Sequence, residues 1–190
     1  MHFRVAKRVL RYLKHARDLR LVLAPVKTDG EPQLIGYSDA DWGSNLKNRQ
    51  SQSGYISKLY GATVGWGFLR QQCVSLSFVE SEYVALTEAA KDAIWLRTAV
   101  QVLDQVDPDP VSIAIKGDNQ GSLALAQKPG WHRRTKHIDI RYRFIRSQVE
   151  QGTIKLSYIG TKDQEADILT NATPTHVLVK HRTALGLMAP

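Results

Sequence analysis

The chain has 190 residues, 43% of them hydrophobic, which is enough for one domain with a sizeable core. Its single cysteine, Cys73, excludes an internal disulfide framework and suits a reducing compartment, so a cytoplasmic or nuclear setting is expected. A formal net charge of +8 favours a polyanionic partner, while the apolar runs are too short to span a bilayer and no apolar segment of signal-peptide type follows the basic stretch Met1 to Arg8.

In chain order, Val5 to Leu23 reads as a helix, with Val5, Val9, Tyr12 and Leu13 near helical spacing and Arg or Lys between them. Pro25 to Pro32 is a turn-rich linker and the best boundary candidate. It divides a basic appendage, residues 1–32, from a domain at 33–190, because one helix cannot bury a core. Leu34 to Tyr37 is a short strand running into Ser38-Asp-Ala-Asp-Trp42. Gly54 to Tyr60 and Ala62 to Phe68 form a hairpin joined at Gly61. Cys73 to Ser77 extends the sheet, with Cys73 read as a small buried side chain. A long helix follows from about Val79 to Leu103, then a strand at Val111 to Ile115. Helices at Gln120 to Gln127 and Ile138 to Glu150 precede a last strand at Ile154 to Ile159. A final helix from Asp167 is interrupted near Pro174 and resumes toward Leu185. Strands first, then helix alternating with strand, imply an α/β fold with a mixed sheet and helices packed on it.

Four carboxylates stand where these elements meet: Asp39, Glu82, Asp118 and Asp167. Such a set of hard oxygen donors suits magnesium. At about 100° per residue, Val79, Leu86, Ala89 and Ala93 fall within about 60° of Glu82, placing this charge on the apolar face of its helix. An uncompensated carboxylate there is costly, and a metal is one way to offset it. Glu80 and Glu88 point away and read as solvated charges. Asp39 and Asp118 each follow a buried-looking strand, where ligands of open α/β sheets gather. Asp41 rivals Asp39 at the same strand end, and Asp118 and Asp167 could equally cap the helices that follow them.

Six motifs in order carry a resemblance: Tyr37-Ser-Asp-Ala-Asp-Trp42, Ser53-Gly-Tyr55, Glu80-Ser-Glu-Tyr83, Asp118-Asn119, Arg134-Thr-Lys-His-Ile-Asp139 and Ala166-Asp-Ile-Leu-Thr170. Together they resemble the ribonuclease H domain of copia-type LTR retrotransposon polyproteins. Ala6 to Lys14 looks like the last helix of the reverse transcriptase that precedes it. The resemblance implies a ribonuclease H-like fold: a five-stranded mixed sheet, three antiparallel strands then two parallel ones, flanked by helices. It implies cleavage of the RNA strand of an RNA–DNA hybrid with two magnesium ions, for which manganese can substitute. Matched motif by motif, the metal-binding catalytic acids are Asp39, Glu82, Asp118 and Asp167. Asn171, Arg143 and His15-Ala16 depart from the family pattern, and Gly160 to Glu165 lacks the histidine that cellular ribonucleases H carry there. Water, Lys162, Asp163 or His137 would take over proton transfer.

Basic residues are dense around the helix near Ile138. Arg133, Arg134, Lys136, His137 and Arg141 are the nucleic-acid-binding candidates, joined by Asn119 for 2′-hydroxyl contacts. Expected partners are an RNA–DNA hybrid and the rest of a reverse transcriptase, in the cytoplasm, in virus-like particles, or in the nucleus. The rival reading is a retroelement-derived nucleic-acid-binding module with little or no turnover.

Overall fold

The computed structural model describes residues 2–24, 34–104, 113–127 and 136–190, with backbone alone at 2, 103–104 and 136–138. The linker expected at Pro25 to Pro32 lies outside the described residues, as do Arg133 and Arg134. The elements run α1 (His2–Ala16), β1 (Arg20–Leu21), β2 (Leu34–Asp41), β3 (Gln52–Leu59), β4 (Ala62–Arg70), α2 (Phe78–Asp104), β5 (Ile113–Gly117), α3 (Gln120–Gln127), α4 (Lys136–Glu150), β6 (Ile154–Tyr158), α5 (Asp167–Thr170), α6 (Thr175–Ala184) and β7 (Leu187–Met188).

Five strands form one sheet in the order β4-β3-β2-β5-β6, antiparallel from β4 to β2 and parallel from β2 to β6. This is the expected mixed sheet. The β3–β4 hairpin closes through Tyr60 and Gly61, both at positive φ (50° and 80°), the paired left-handed residues that match the strand twist. The parallel crossovers carry the helices, α2 between β4 and β5, and α3 and α4 between β5 and β6.

The α2 face made by Tyr83, Leu86, Ala89, Ala90 and Ala93 packs with Leu34, Ile113, Ile115 and Ile154 of the sheet. The alanines keep that face short, so the helix lies close to the strands. Tyr83 also tilts against Tyr142 of α4, ring centroids 4.2 Å apart, a pairing that contributes roughly 1 kcal/mol beyond burial. The opposite sheet face buries Ile35, Tyr37 and Ile56 under Ala166 and Leu185.

Several sequence expectations are corrected. The first helix ends at Ala16 rather than Leu23; the chain then forms β1, which pairs antiparallel with β7 at the far end of the sequence. The apolar side chains of α1 face solvent, Phe3, Leu10 and Leu13 among them. Residues 73–77 form no strand, because they belong to the turn entering α2, and Cys73 is half-buried beside Arg141. Glu80 is not solvated: it is 1% exposed. Ser77 Oγ accepts from the Glu80 N–H at 3.2 Å and Glu80 Oε2 accepts from the Leu76 N–H at 2.9 Å, a reciprocal cap that draws the carboxylate inward. Glu88 is half-buried and paired with Lys91.

Two contacts hold the segment before α5 against the sheet. Lys58 of β3 donates to Glu165 at 2.7 Å and to the Ala184 carbonyl at 2.9 Å, a buried ion pair. Gln164, fully buried, donates to the Ser38 carbonyl at 2.9 Å. Removing one partner of the ion pair would strand a buried charge, at a cost of about 3–5 kcal/mol. Close approach of α5 also depends on Gly54, opposite Asp39 in the β2–β3 register. A Cβ at Gly54 would lie 2.9 Å from Thr170 Cγ2, 3.0 Å from Leu169 Cβ and 3.2 Å from the Ala166 carbonyl. Gly54→Ala is therefore expected to push α5 off the sheet and lose about 1–3 kcal/mol in a urea unfolding titration.

Candidate active site

Strand register brings the first and third acids together. Ser38 pairs with Gly117 across the parallel β2–β5 ladder, so the next residues, Asp39 and Asp118, stand side by side. Strand β2 continues through Asp41, so Asp39 lies inside the strand while Asp118 follows the end of β5. Glu82 reaches the pair from the second turn of α2. One carboxylate oxygen from each of Asp39, Glu82 and Asp118 lies within 4.8 Å of the other two. Asp39 and Glu82 are 4% and 2% exposed. The helical-face reading of Glu82 is borne out.

Asp118 does not cap α3. That role belongs to Asn119, whose Oδ1 accepts from the Ser122 N–H at 2.8 Å. Asp118 Oδ2 accepts instead from the Thr161 hydroxyl at 2.8 Å, in the turn after β6. Asp41 stays outside the cluster.

Asp167 stands apart from the three-acid group. It opens α5 near Asp39 and raises the Asp39 pKa through its charge. Four residues on, the Asn171 side chain donates to Asp167 Oδ1 at 2.7 Å and reaches Asp39 Oδ2 at 3.4 Å. The Thr170 hydroxyl also donates to Asp39 Oδ2. Sequence reasoning noted Asn171 only as a departure and passed over Thr161 and Thr170. Positions 170 and 171 lie three and four residues beyond Asp167, the spacing at which helical neighbours meet, and that was the available signal.

Among the described residues, no salt bridge joins a lysine or arginine to these acids. Desolvation, then the charges of Asp39 and Asp118, push Glu82 from an ordinary 4.5 to about 9, against the opposing Ala40 backbone hydrogen bond. Asp39 rises from 3.8 to about 6, chiefly by desolvation, with the Thr170 hydrogen bond opposing and Asp118 and Asp167 adding. Glu82 Oε1 and Asp118 Oδ1 are buried without a hydrogen-bond partner. Three clustered carboxylates, two of them with an orphaned hard-oxygen acceptor, fit a divalent cation such as magnesium.

Asp163, a candidate to replace the loop histidine, is paired with Lys180 at 2.7 Å and held below the usual carboxylate range by it. It is ionised at neutral pH and has no proton to give. Lys136 and His137 open α4, and their side chains lie outside the described residues. Arg141 lines a cavity of about 280 Å³ together with Arg70, Gln72, Glu88 and Lys91, against Ser53, Leu69, Gln71 and Val84. Arg70 and Lys91 were not among the expected basic residues, because they come from β4 and α2 and only folding brings them beside α4.

An acid-lined mixed sheet of this order, with α2 between the antiparallel and parallel strands, is the ribonuclease H fold. The N-terminal RNase H domain of a Mycobacterium tuberculosis protein superposes on 81% of this chain and 99% of its own, with a TM-score of 0.53 at 12% identity. In sequence, the chain is 36% identical over 186 residues to the retrovirus-related Pol polyprotein from transposon TNT 1-94 of Nicotiana tabacum. That match covers 98% of this chain and 14% of the polyprotein, so the chain spans a small part of its relative's length. A secreted RxLR effector protein of Plasmopara viticola is 44% identical over 95 residues, half of this chain and 65% of the effector. No protein-family model matches. The chain is thus a ribonuclease H-fold relative of copia-type retrotransposon Pol polyproteins.

The raised carboxylates set a pH dependence. In the metal-free protein Glu82 and Asp39 hold protons that the unfolded chain releases near 4.5 and 3.8. Folding then takes up protons, so stability falls as pH rises through these values and goes on falling until Asp39 ionises near 6 and Glu82 near 9. Urea unfolding in EDTA should show this decline from pH 5 to 9, and Glu82→Gln should remove most of it, leaving the variant at least about 1 kcal/mol more stable than the parent at pH 8.

Proposed function

We propose that this chain is a divalent-metal-dependent endonuclease that hydrolyses the RNA strand of RNA–DNA hybrids, as in retrotransposon reverse transcription. The observation that carries this reading is the convergence of Asp39, Glu82 and Asp118 within 4.8 Å, with buried oxygens of Glu82 and Asp118 unpartnered. Kinship with Pol polyproteins and the ribonuclease H fold support it.

Asp39, Glu82 and Asp118 would hold magnesium, or manganese in its place, with Asp167 completing the set from α5. Bound there, a pair of such ions supplies an activated water for in-line attack on the RNA phosphate and charge stabilisation at the departing 3′ oxygen. Burial keeps water from Asp39 and Glu82, while Asp118 and Asp167 are half-buried. A dry site strengthens every charge interaction within it. Protonation of the leaving oxygen falls to water, to Lys162 or to His137, since Asp163 is committed to Lys180.

The hybrid would lie across the α2–α4 side, where Arg70, Lys91 and Arg141 line one cavity. Arg133, Arg134, Lys136 and His137 extend this basic run along the chain toward α4. Asn119 keeps an amide N–H₂ group for a minor-groove 2′-hydroxyl while its Oδ1 caps α3. The rest of a reverse transcriptase is the proposed neighbour in a longer polyprotein, in the cytoplasm or nucleus. Among the described residues no helix is long and apolar enough to cross a membrane.

Cleavage of a labelled RNA–DNA hybrid in magnesium tests this reading. The parent chain should cut the RNA strand alone, and Asp39→Asn and Asp118→Asn should each reduce the rate at least about 100-fold, a loss of about 3 kcal/mol of transition-state stabilisation. Binding without cleavage in both magnesium and manganese would favour the nucleic-acid-binding module instead. Arg141→Ala should weaken hybrid binding regardless of sequence and lower the slope of log affinity against log salt by about 1.

A further inference from the structure

Asn171 occupies the gap between the fourth acid and the first. It ends α5 in extended geometry, and its side-chain nitrogen donates at 2.7 Å to Asp167 Oδ1, with longer approaches of 3.3 Å to Thr170 Oγ1 and 3.4 Å to Asp39 Oδ2. A carboxamide offers two N–H donors and no net charge. It can therefore orient two neighbouring carboxylates without neutralising either. Asp39 Oδ2 also accepts from Thr170, whose hydroxyl lies 3.2 Å from the Asp167 carbonyl, so the last side chain of α5 and the one after it both turn back onto the acids.

Asp167 differs from the other three acids in how it is placed. Strand register fixes Asp39 and Asp118, and the packed face of α2 fixes Glu82. Asp167 sits on a four-residue helix, outside the three-acid cluster, and Asn171 is the side chain that holds its carboxylate. With Oδ1 engaged by Asn171, Oδ2 is the atom left to face a cation. Hydrogen bonds of this kind to a ligating carboxylate typically change metal affinity by about 10–100-fold.

We infer that Asn171 is a positioning residue for divalent metal, acting through Asp167: it orients that carboxylate so that the fourth acid can join Asp39, Glu82 and Asp118 around a cation. This rests on the metal-dependent reading above and adds to it a residue that is not itself a ligand. Loss of its amide should weaken metal binding only while Asp167 is present to be oriented.

Calorimetric titration of the full chain with Mn²⁺ tests this in a four-member cycle of parent, Asn171→Ala, Asp167→Asn and the double variant. Asn171→Ala should weaken Mn²⁺ binding about 10-fold, and the same substitution in the Asp167→Asn background should change it less than about 2-fold. Asn171 is exposed, so its removal should shift the melting temperature in EDTA by less than about 3 °C. Unchanged Mn²⁺ affinity in Asn171→Ala, or effects of the two substitutions that multiply independently, would overturn the inference while leaving the metal-dependent reading in place. A parent chain that binds no Mn²⁺ would sink that reading itself, and this inference with it.

Discussion

The repulsion among carboxylates buried at one end of a sheet is the constraint on which the rest of the structure depends. One carboxylate oxygen from each of Asp39, Glu82 and Asp118 lies within 4.8 Å of the other two, with Asp39 and Glu82 buried and Asp118 half-buried. No lysine or arginine of the protein pairs with any of them among the described residues. Desolvation and mutual repulsion both oppose ionisation of Asp39 and Glu82, and the remainder of the fold has to overcome them. Two packed layers do so: the alanine-rich face of α2 on one side of the sheet, and the Ala166–Leu185 cluster on the other. Such a cluster is a candidate site, and a divalent cation bound there would relieve the repulsion.

The second side of that site is held by different physics from the first. Backbone register and helix packing place Asp39, Asp118 and Glu82, and such contacts are stiff. Asp167 depends on a short helix pinned by the Lys58–Glu165 ion pair, by Gln164 on the Ser38 carbonyl, and by the absence of a side chain at Gly54. These contacts reach across more than 100 residues of sequence, and each fails if one partner changes.

Much of the fold was legible in the sequence, and for identifiable reasons. The Tyr60-Gly61 hairpin, the long α2 and the alternation after it follow from turn chemistry and periodicity. Glu82 was separable from its neighbours because 100° steps place it with Leu86 and Ala89. Glu80 misled for the same reason: a wheel cannot register a carboxylate that folds back onto the Leu76 amide as a cap. The break after Ala16 was hidden because β1 exists only through its pairing with β7, nearly the whole chain away. Among the site residues, Asp39 and Asp118 were readable from the apolar runs that lead into them, and Glu82 from its place on the apolar face of α2. The cavity that unites Arg70, Lys91 and Arg141 was not, because three separate elements contribute to it. The hydroxyl and amide groups of Thr161, Thr170 and Asn171 were equally hidden, since such side chains are ordinary in turns until geometry shows what they touch.

The most direct test of the central claim is where a divalent ion binds. A crystal of the full chain grown or soaked with Mn²⁺ should give an anomalous-scattering peak between the carboxylates of Asp39, Glu82 and Asp118, lost in Glu82→Gln. A peak located elsewhere, or no peak at this cluster at saturating Mn²⁺, would contradict the account.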